Sequence, residues 1–250
     1  MNKPRDSFAA IRRFWKSADV APADGGFAVR LDGRTPRSPR GKALRLPTKA
    51  LAELAAAEWA GAGETLEPAS MPATRLAWSA LDDISADRGG AAQTLVRYAG
   101  SDLLCYLAEG PEKLRRRQEA AWTPLRLWAG ELLGSPFAVG EGVVHRPQPP
   151  ATLEAVGALA AAADDFDLAG LAFGAPLFGS AILSLALRAG RIVAASAFSA
   201  SRLDEAFQEQ AWGVDPLAAQ RTAALEREAA MLGAWFAALR PDGAAPEGAA

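Results

Sequence analysis

Apolar and polar positions alternate near the start of the chain, then recur every three or four residues for most of the remainder. In "GGFAVRLDGR" (25–34), Phe27, Val29 and Leu31 alternate with Ala28 and Arg30, the period of a half-buried strand. Asp32-Gly33 predicts a type I′ hairpin turn. "RTPRSPRG" then returns along the sheet edge, where prolines are tolerated, and "KALRLP" alternates again through Leu44 and Leu46. After Pro47 the period changes. Thr48 is placed to cap a helix whose Leu51, Leu54, Ala55 and Trp59 share one face, and "GAGETLEPASMP" reads as a connector.

From Met71 onward the pattern is helical. Pro72 opens "PATRLAWSALDDI", with Ala77, Ala80, Leu81 and Ile84 on one stripe, and Asp87 is positioned to cap a helix facing inward through Ala92, Leu95, Val96 and Ala99. Pro111 opens a longer helix with Leu114, Gln118, Trp122, Leu125, Ala129 and Leu132 at helical spacing and a bend at Pro124. "SPFAVGEGVVHRPQPP" reads as a loop with room for a short extended piece. The final helix runs from about Asp215 to Leu239 with Leu225, Leu232, Trp235 and Phe236 inward. Strands followed by helices imply an α+β fold: a β-rich part with one or two helices over 1–85, a helical part over 86–240, and a disordered tail over 241–250.

Twenty consecutive residues, 168–187, carry no charge, which is a membrane-spanning length. Gly170, Gly174, Pro176 and Gly179 interrupt the run. It reads instead as a short helix ending near Phe173–Gly174 and a second from Pro176 to Arg188, buried on all sides and stopped by Gly190.

Composition narrows the function. With 250 residues, half of them hydrophobic, the chain can bury a full core. A net charge of −2 favours neither nucleic acid nor an anionic membrane. One cysteine, Cys105, forbids an internal disulfide and points to a reducing compartment. The charged first twenty residues do not read as a secretory signal. A cytoplasmic location is expected, or the mitochondrial matrix in a eukaryote.

Catalytic templates fail. "RGKA" lacks the first glycine and the hydroxyl of a phosphate-binding loop, so no nucleotide site is expected. "GAGETL" and "GEGVVH" each lack the third glycine of a dinucleotide fingerprint. A single histidine, His145, and a single cysteine cannot build a usual zinc site, and neither metal nor cofactor is expected. Asp82-Asp83 and Asp164-Asp165 are adjacent pairs that point about 100° apart on a helix, which suits solvated surface better than a shared substrate. Arg34, Arg37, Arg40, Lys42 and Arg45 read as edge-strand protection, with a surface for an acidic partner as the alternative, and the arginines 115–117 as a wet helix face.

The stretch "EAFQEQAWGVDPLAAQR" (205–221) resists this inventory. Gly213 can end one helix, Asp215 can cap the next, and Trp212 would wedge the corner between them. Glu205 and Gln208 would then lie one helical turn apart as a polar patch.

In order, "RFWKSADV", "GGFAVRLDGRTPRSPRGKALRLP", "LAAAEWA", "MPATRLAWSALD", "YAGSDLLCYLAEGPEKLRRRQEAAWTPLRLW", "FGSAILSLAL" and "SRLDEAFQEQAWGVD" resemble the assembly chaperone for the α subunit of the F-type ATP synthase head. The resemblance spans roughly residues 11 to 237. It implies a β-rich part followed by a helical part, and a protein that holds free α subunit until β arrives, without cofactor. It also implies an α-subunit contact on the acidic segment, with Glu205 foremost, Asp204 next, and Gln208, Trp212 and Asp215 beside them. Two other classes stay open on the residues alone: a carboxylate-dependent enzyme, and a binding module for some other partner.

Overall fold

The structure, a computed structural model, describes residues 12–213 and 216–240. The elements in order are β1 (Ala18–Ala23), β2 (Gly26–Leu31), β3 (Arg45–Leu46), α1 (Lys49–Gly61), α2 (Pro72–Ser79), α3 (Arg88–Gly100), β4 (Tyr106–Leu107), α4 (Glu112–Leu133), β5 (Gly140–Glu141), α5 (Pro150–Ala162), α6 (Asp165–Phe178), α7 (Ala181–Arg188), α8 (Ala194–Ser201), α9 (Leu203–Trp212) and α10 (Pro216–Leu239). A small N-terminal sheet leads into a larger helical part, the expected α+β class. The expected disordered tail, 241–250, lies outside the described residues.

The sheet is antiparallel in the order β1-β2-β3, with Val20 opposite Val29 and Phe27 opposite Leu46. The alternation in β2 holds in part: Val29 and Leu31 are buried as expected, but Ala28 is buried too and Phe27 is only half-buried. Asp32 (φ 47°) and Gly33 (φ 82°) both adopt the positive φ of a type I′ turn, closed by hydrogen bonds in both directions between Leu31 and Arg34. The Asp32 carboxylate also accepts from the Lys16 and Ser17 amides, so the turn anchors the chain leading into β1. β1 itself has no apolar alternation to announce it, and its Pro22 is tolerated because β1 is an edge strand.

Helix α1 lies on this sheet, capped as expected by Thr48, whose hydroxyl accepts from Leu51 N at 3.1 Å. Trp59 packs edge-to-face on Trp15 with centroids 5.2 Å apart, and Trp15 Nε1 donates to Trp59 O. The neighbouring Glu58 carboxylate accepts from Ala73 N (2.7 Å) and Thr74 N (2.8 Å), two amides of the first turn of α2. A carboxylate there satisfies amides that have no helical partner and complements the helix dipole.

The reading of Asp82-Asp83 as solvated surface needs correction. After α2 the helix widens into one π turn, Ala80–Ile84, which turns Asp82 inward. The buried Asp82 accepts from Ser38 Oγ (2.7 Å) and Arg40 N (2.9 Å), while Arg40 Nη2 reaches the exposed Asp83 at 2.7 Å. Lys42 Nζ donates to Ser85 Oγ at 2.7 Å. Two of the five hairpin cations therefore clip the sheet to the helices. Edge protection does not describe them.

The run 168–187 forms a helical pair, with the break later than expected. Helix α6 continues through Gly174 and Pro176 to Phe178, and Gly179 (φ 64°) ends it. Ser180 then caps α7, whose residues 181–187 are all buried. Gly170 is a packing position: a Cβ there would lie 2.7 Å from the Phe236 ring of α10. Among the described residues no helix is long and apolar enough to cross a membrane. The start of α7 is held by Asp102, fully buried, which accepts from Ser180 Oγ (2.7 Å), Ile182 N (2.9 Å) and Leu104 N (3.0 Å). A single apolar core runs from Trp15 to Phe236.

Candidate functional site

Helix α9 starts where α8 breaks at Arg202 and carries Asp204 and Glu205 in its first turn, where negative charge complements the helix dipole. Gly213 (φ 88°) ends it, as the sequence predicts. Pro216 opens α10. Asp215, expected to cap α10 and to join the partner contact, lies outside the described residues. No residue of α9 is buried.

Trp212 does not wedge a corner. It is 83% exposed. The reason lies in the helical period: nine residues separate it from Leu203, a rotation of about 900°, which places the two on opposite sides of the helix. Leu203 and Phe207, four apart, share the face toward α4 and are half-buried.

The contacts that seat α9 are largely polar. Gln118 Nε2 donates to Asp204 Oδ1 at 2.7 Å, and Arg202 Nη1 donates to Glu205 Oε1 at 2.8 Å. Arg117 Nη1 donates to Gln210 Oε1 at 2.9 Å while its guanidinium lies 5.4 Å from the centre of the Phe207 ring. Arg117 therefore does not belong to a purely wet helix face. Gln208 is exposed, one turn beyond Asp204 and Glu205. The structure thus places Asp204, Glu205 and Gln208 together on one surface helix and Trp212 at its exposed end.

Sequence reasoning missed the groove beside this helix. Between α4 and α8 lies an open groove of about 870 Å³ whose apolar lining includes Ala121, Pro124, Leu125, Ile192 and Ala195, with Leu203 of α9 also contributing. Val193 is largely exposed nearby, next in the chain to Ile192. The small residues of α8 and the in-helix Pro124 were the only signals for it.

Elsewhere the chemistry is structural. Cys105 is buried and its thiol is pushed up from its ordinary range, first by burial and then by the Asp102 charge. Burial raises the Asp102 carboxyl to about 6, against the opposing pull of its hydrogen-bond donors. His145 is exposed, its Nδ1 3.1 Å from Tyr106 Oη. Among the described residues no group of three or more His, Cys, Asp or Glu side chains is arranged to hold a metal ion.

Comparison with known proteins agrees with the architecture. The ATP12 chaperone protein family matches residues 12–130. Protein atp12, mitochondrial, of Schizosaccharomyces pombe is 26% identical over 223 residues, covering 84% of this chain and 75% of its own. The crystal structure of Atp12 from Paracoccus denitrificans superposes with a TM-score of 0.86 at 39% identity, covering 94% of this chain and all of that one. The Atu1473 protein of Agrobacterium tumefaciens superposes with a TM-score of 0.86 at 36% identity, covering 92% and 86%. On sequence and fold together, the chain belongs to the ATP12 chaperone family.

Proposed function

We propose that this protein is an assembly chaperone of the F-type ATP synthase that binds the unassembled α subunit of the catalytic head and holds it until the β subunit takes its place. The contact is centred on α9, with Glu205 and Asp204 foremost, Gln208 and Trp212 alongside, and Asp215 after them in the chain. The observation that carries this reading is α9 itself. It buries none of its own residues, yet it presents a nearly bare tryptophan at the end of an acidic helix. Packing among the described residues does not account for that combination, whereas aromatic anchors beside charged groups are what protein interfaces use.

The physical task is mass action. An α subunit without its partner exposes apolar surface that aggregates, and a holder of modest affinity covers it until a better-matched partner competes. This work requires no catalysis, nucleotide, metal or cofactor, and it takes place in the bacterial cytoplasm, or in the matrix for a mitochondrial form.

The test is capture of purified, unassembled α subunit by the immobilised protein, followed by addition of β. Capture of α with release on adding β is expected. A protein that leaves α in solution, or retains another extract protein in its place, would overturn the reading.

A further inference from the structure

We propose that Gln118 is the positioning residue that fixes the acidic turn of α9 against the body of the protein. The proposal rests on the reading of α9 as the binding helix.

Gln118 is the one polar residue in the inward stripe of α4, and it is 1% exposed. Both ends of its amide are engaged. Oε1 accepts from Ala108 N at 2.7 Å, just past β4, and Nε2 donates to Asp204 Oδ1 at 2.7 Å. The amide can sit only one way round. A backbone N–H can only donate and a carboxylate can only accept, so the oxygen must face Ala108 and the nitrogen must face Asp204. A reversed amide would leave a donor against a donor and an acceptor against an acceptor.

This matters because α9 has little else to fix it. None of its residues is buried, so apolar packing contributes little to its position, and local opening of such an element takes less free energy than opening of the core. The Arg202–Glu205 pair joins residues three apart in the chain and cannot tie α9 to α4. Arg117 holds the far end of the helix through an exposed hydrogen bond. Beside the half-buried Leu203, Gln118 ties the first turn to the buried framework through a part-buried, charge-assisted bond.

The experiment exchanges the two functional groups and follows amide hydrogen exchange. Gln118→Glu keeps the length of the side chain and an oxygen for Ala108 N, but it sets two carboxylates face to face. Exchange across α9 should then accelerate by about tenfold or more, with α7 unchanged. Adding Asp204→Asn to Gln118→Glu restores a hydrogen bond of reversed polarity, and α9 protection should return to within about threefold of the wild type. Unchanged exchange in Gln118→Glu, or no recovery in the double variant, would overturn the proposal. So would acceleration shared equally by α7, because the amide would then serve the whole core. The measurement needs no partner. A wild-type protein that fails to capture α subunit therefore sinks the functional reading and leaves the exchange result standing on its own.

Discussion

Gly174 on α6 and Ser184 on α7 approach so closely that a Cβ on Gly174 would lie 2.5 Å from Ser184 Oγ and 2.8 Å from Leu232 Cδ2. The two helices meet there without room for a methyl group. Gly174→Ala should therefore destabilise the protein by about 1–3 kcal/mol, because the overpacking outweighs the better helix propensity of alanine. Gly157→Ala on α5 is the control. Its new methyl would meet only Val96 Cγ2 at 3.6 Å, an ordinary contact, and a gain of about 0.5–1 kcal/mol is expected. Urea unfolding of both variants decides it, and equal midpoints would show that the helix pair is looser than its geometry.

Glu205→Lys should abolish capture of free α subunit while moving the melting transition little. Among the described residues, the charge pair it breaks is the partly exposed one with Arg202, between residues three apart, and such pairs contribute about 0.2–1 kcal/mol. Facing a complementary partner, the reversed charge would cost several times that. Trp212→Ala should also weaken capture with almost no change in stability, about 0.5 kcal/mol or less, because the ring is nearly bare. A variant that melts early assigns its residue to the fold, and one that captures normally removes it from the contact.

The Asp102 carboxyl gives a pH signature. Its folded-state pKa is raised from 3.8 to about 6, so between those values the folded protein keeps a proton that the unfolded chain has lost. Its contribution is greatest below about pH 4 and falls as pH rises to about 6, by roughly 3 kcal/mol for a two-unit shift. Asp102→Asn removes the titration. Its deficit relative to the wild type should therefore be larger at pH 4 than at pH 7. Parallel stability curves for the two proteins would show that the group is not titrating in that window.

Glu58→Ala should cost about 2 kcal/mol, because it strips both acceptors from the first-turn amides of α2. Glu58→Gln, which keeps one good acceptor, should recover part of the loss. Thermal melts of the three proteins test the order.

Where the sequence was legible, the signal was local. The alternation of β2, the Asp32-Gly33 turn, the caps at Thr48 and Asp87 and the stop at Gly213 all depend on residues within a few positions of one another. What stayed hidden depended on distant partners. Asp82 is buried because Ser38 and Arg40 come to it from the sheet, and nothing in "LDDI" reveals that. Gly170 and Gly174 read as breaks, and only the approach of α7 and α10 makes them helix-packing positions. Trp212 is a different kind of error, since its distance from Leu203 already excluded a shared face. Trp59 and Pro72 were legible from the residues as a core position and a helix start; what stayed hidden is that Glu58 beside Trp59 caps α2.

The Thr48 hydroxyl that caps α1 also donates to Ala238 O at the end of α10, 190 residues later at 2.5 Å. One side chain thus closes the beginning of the first helix and the end of the last. On the ribosome, α1 is made long before the helix that completes its surroundings exists, so the apolar groups that α10 will cover must wait through most of translation. An assembly chaperone is thus itself an incomplete structure through most of its own synthesis. Its native state becomes reachable only once nearly the whole chain has emerged.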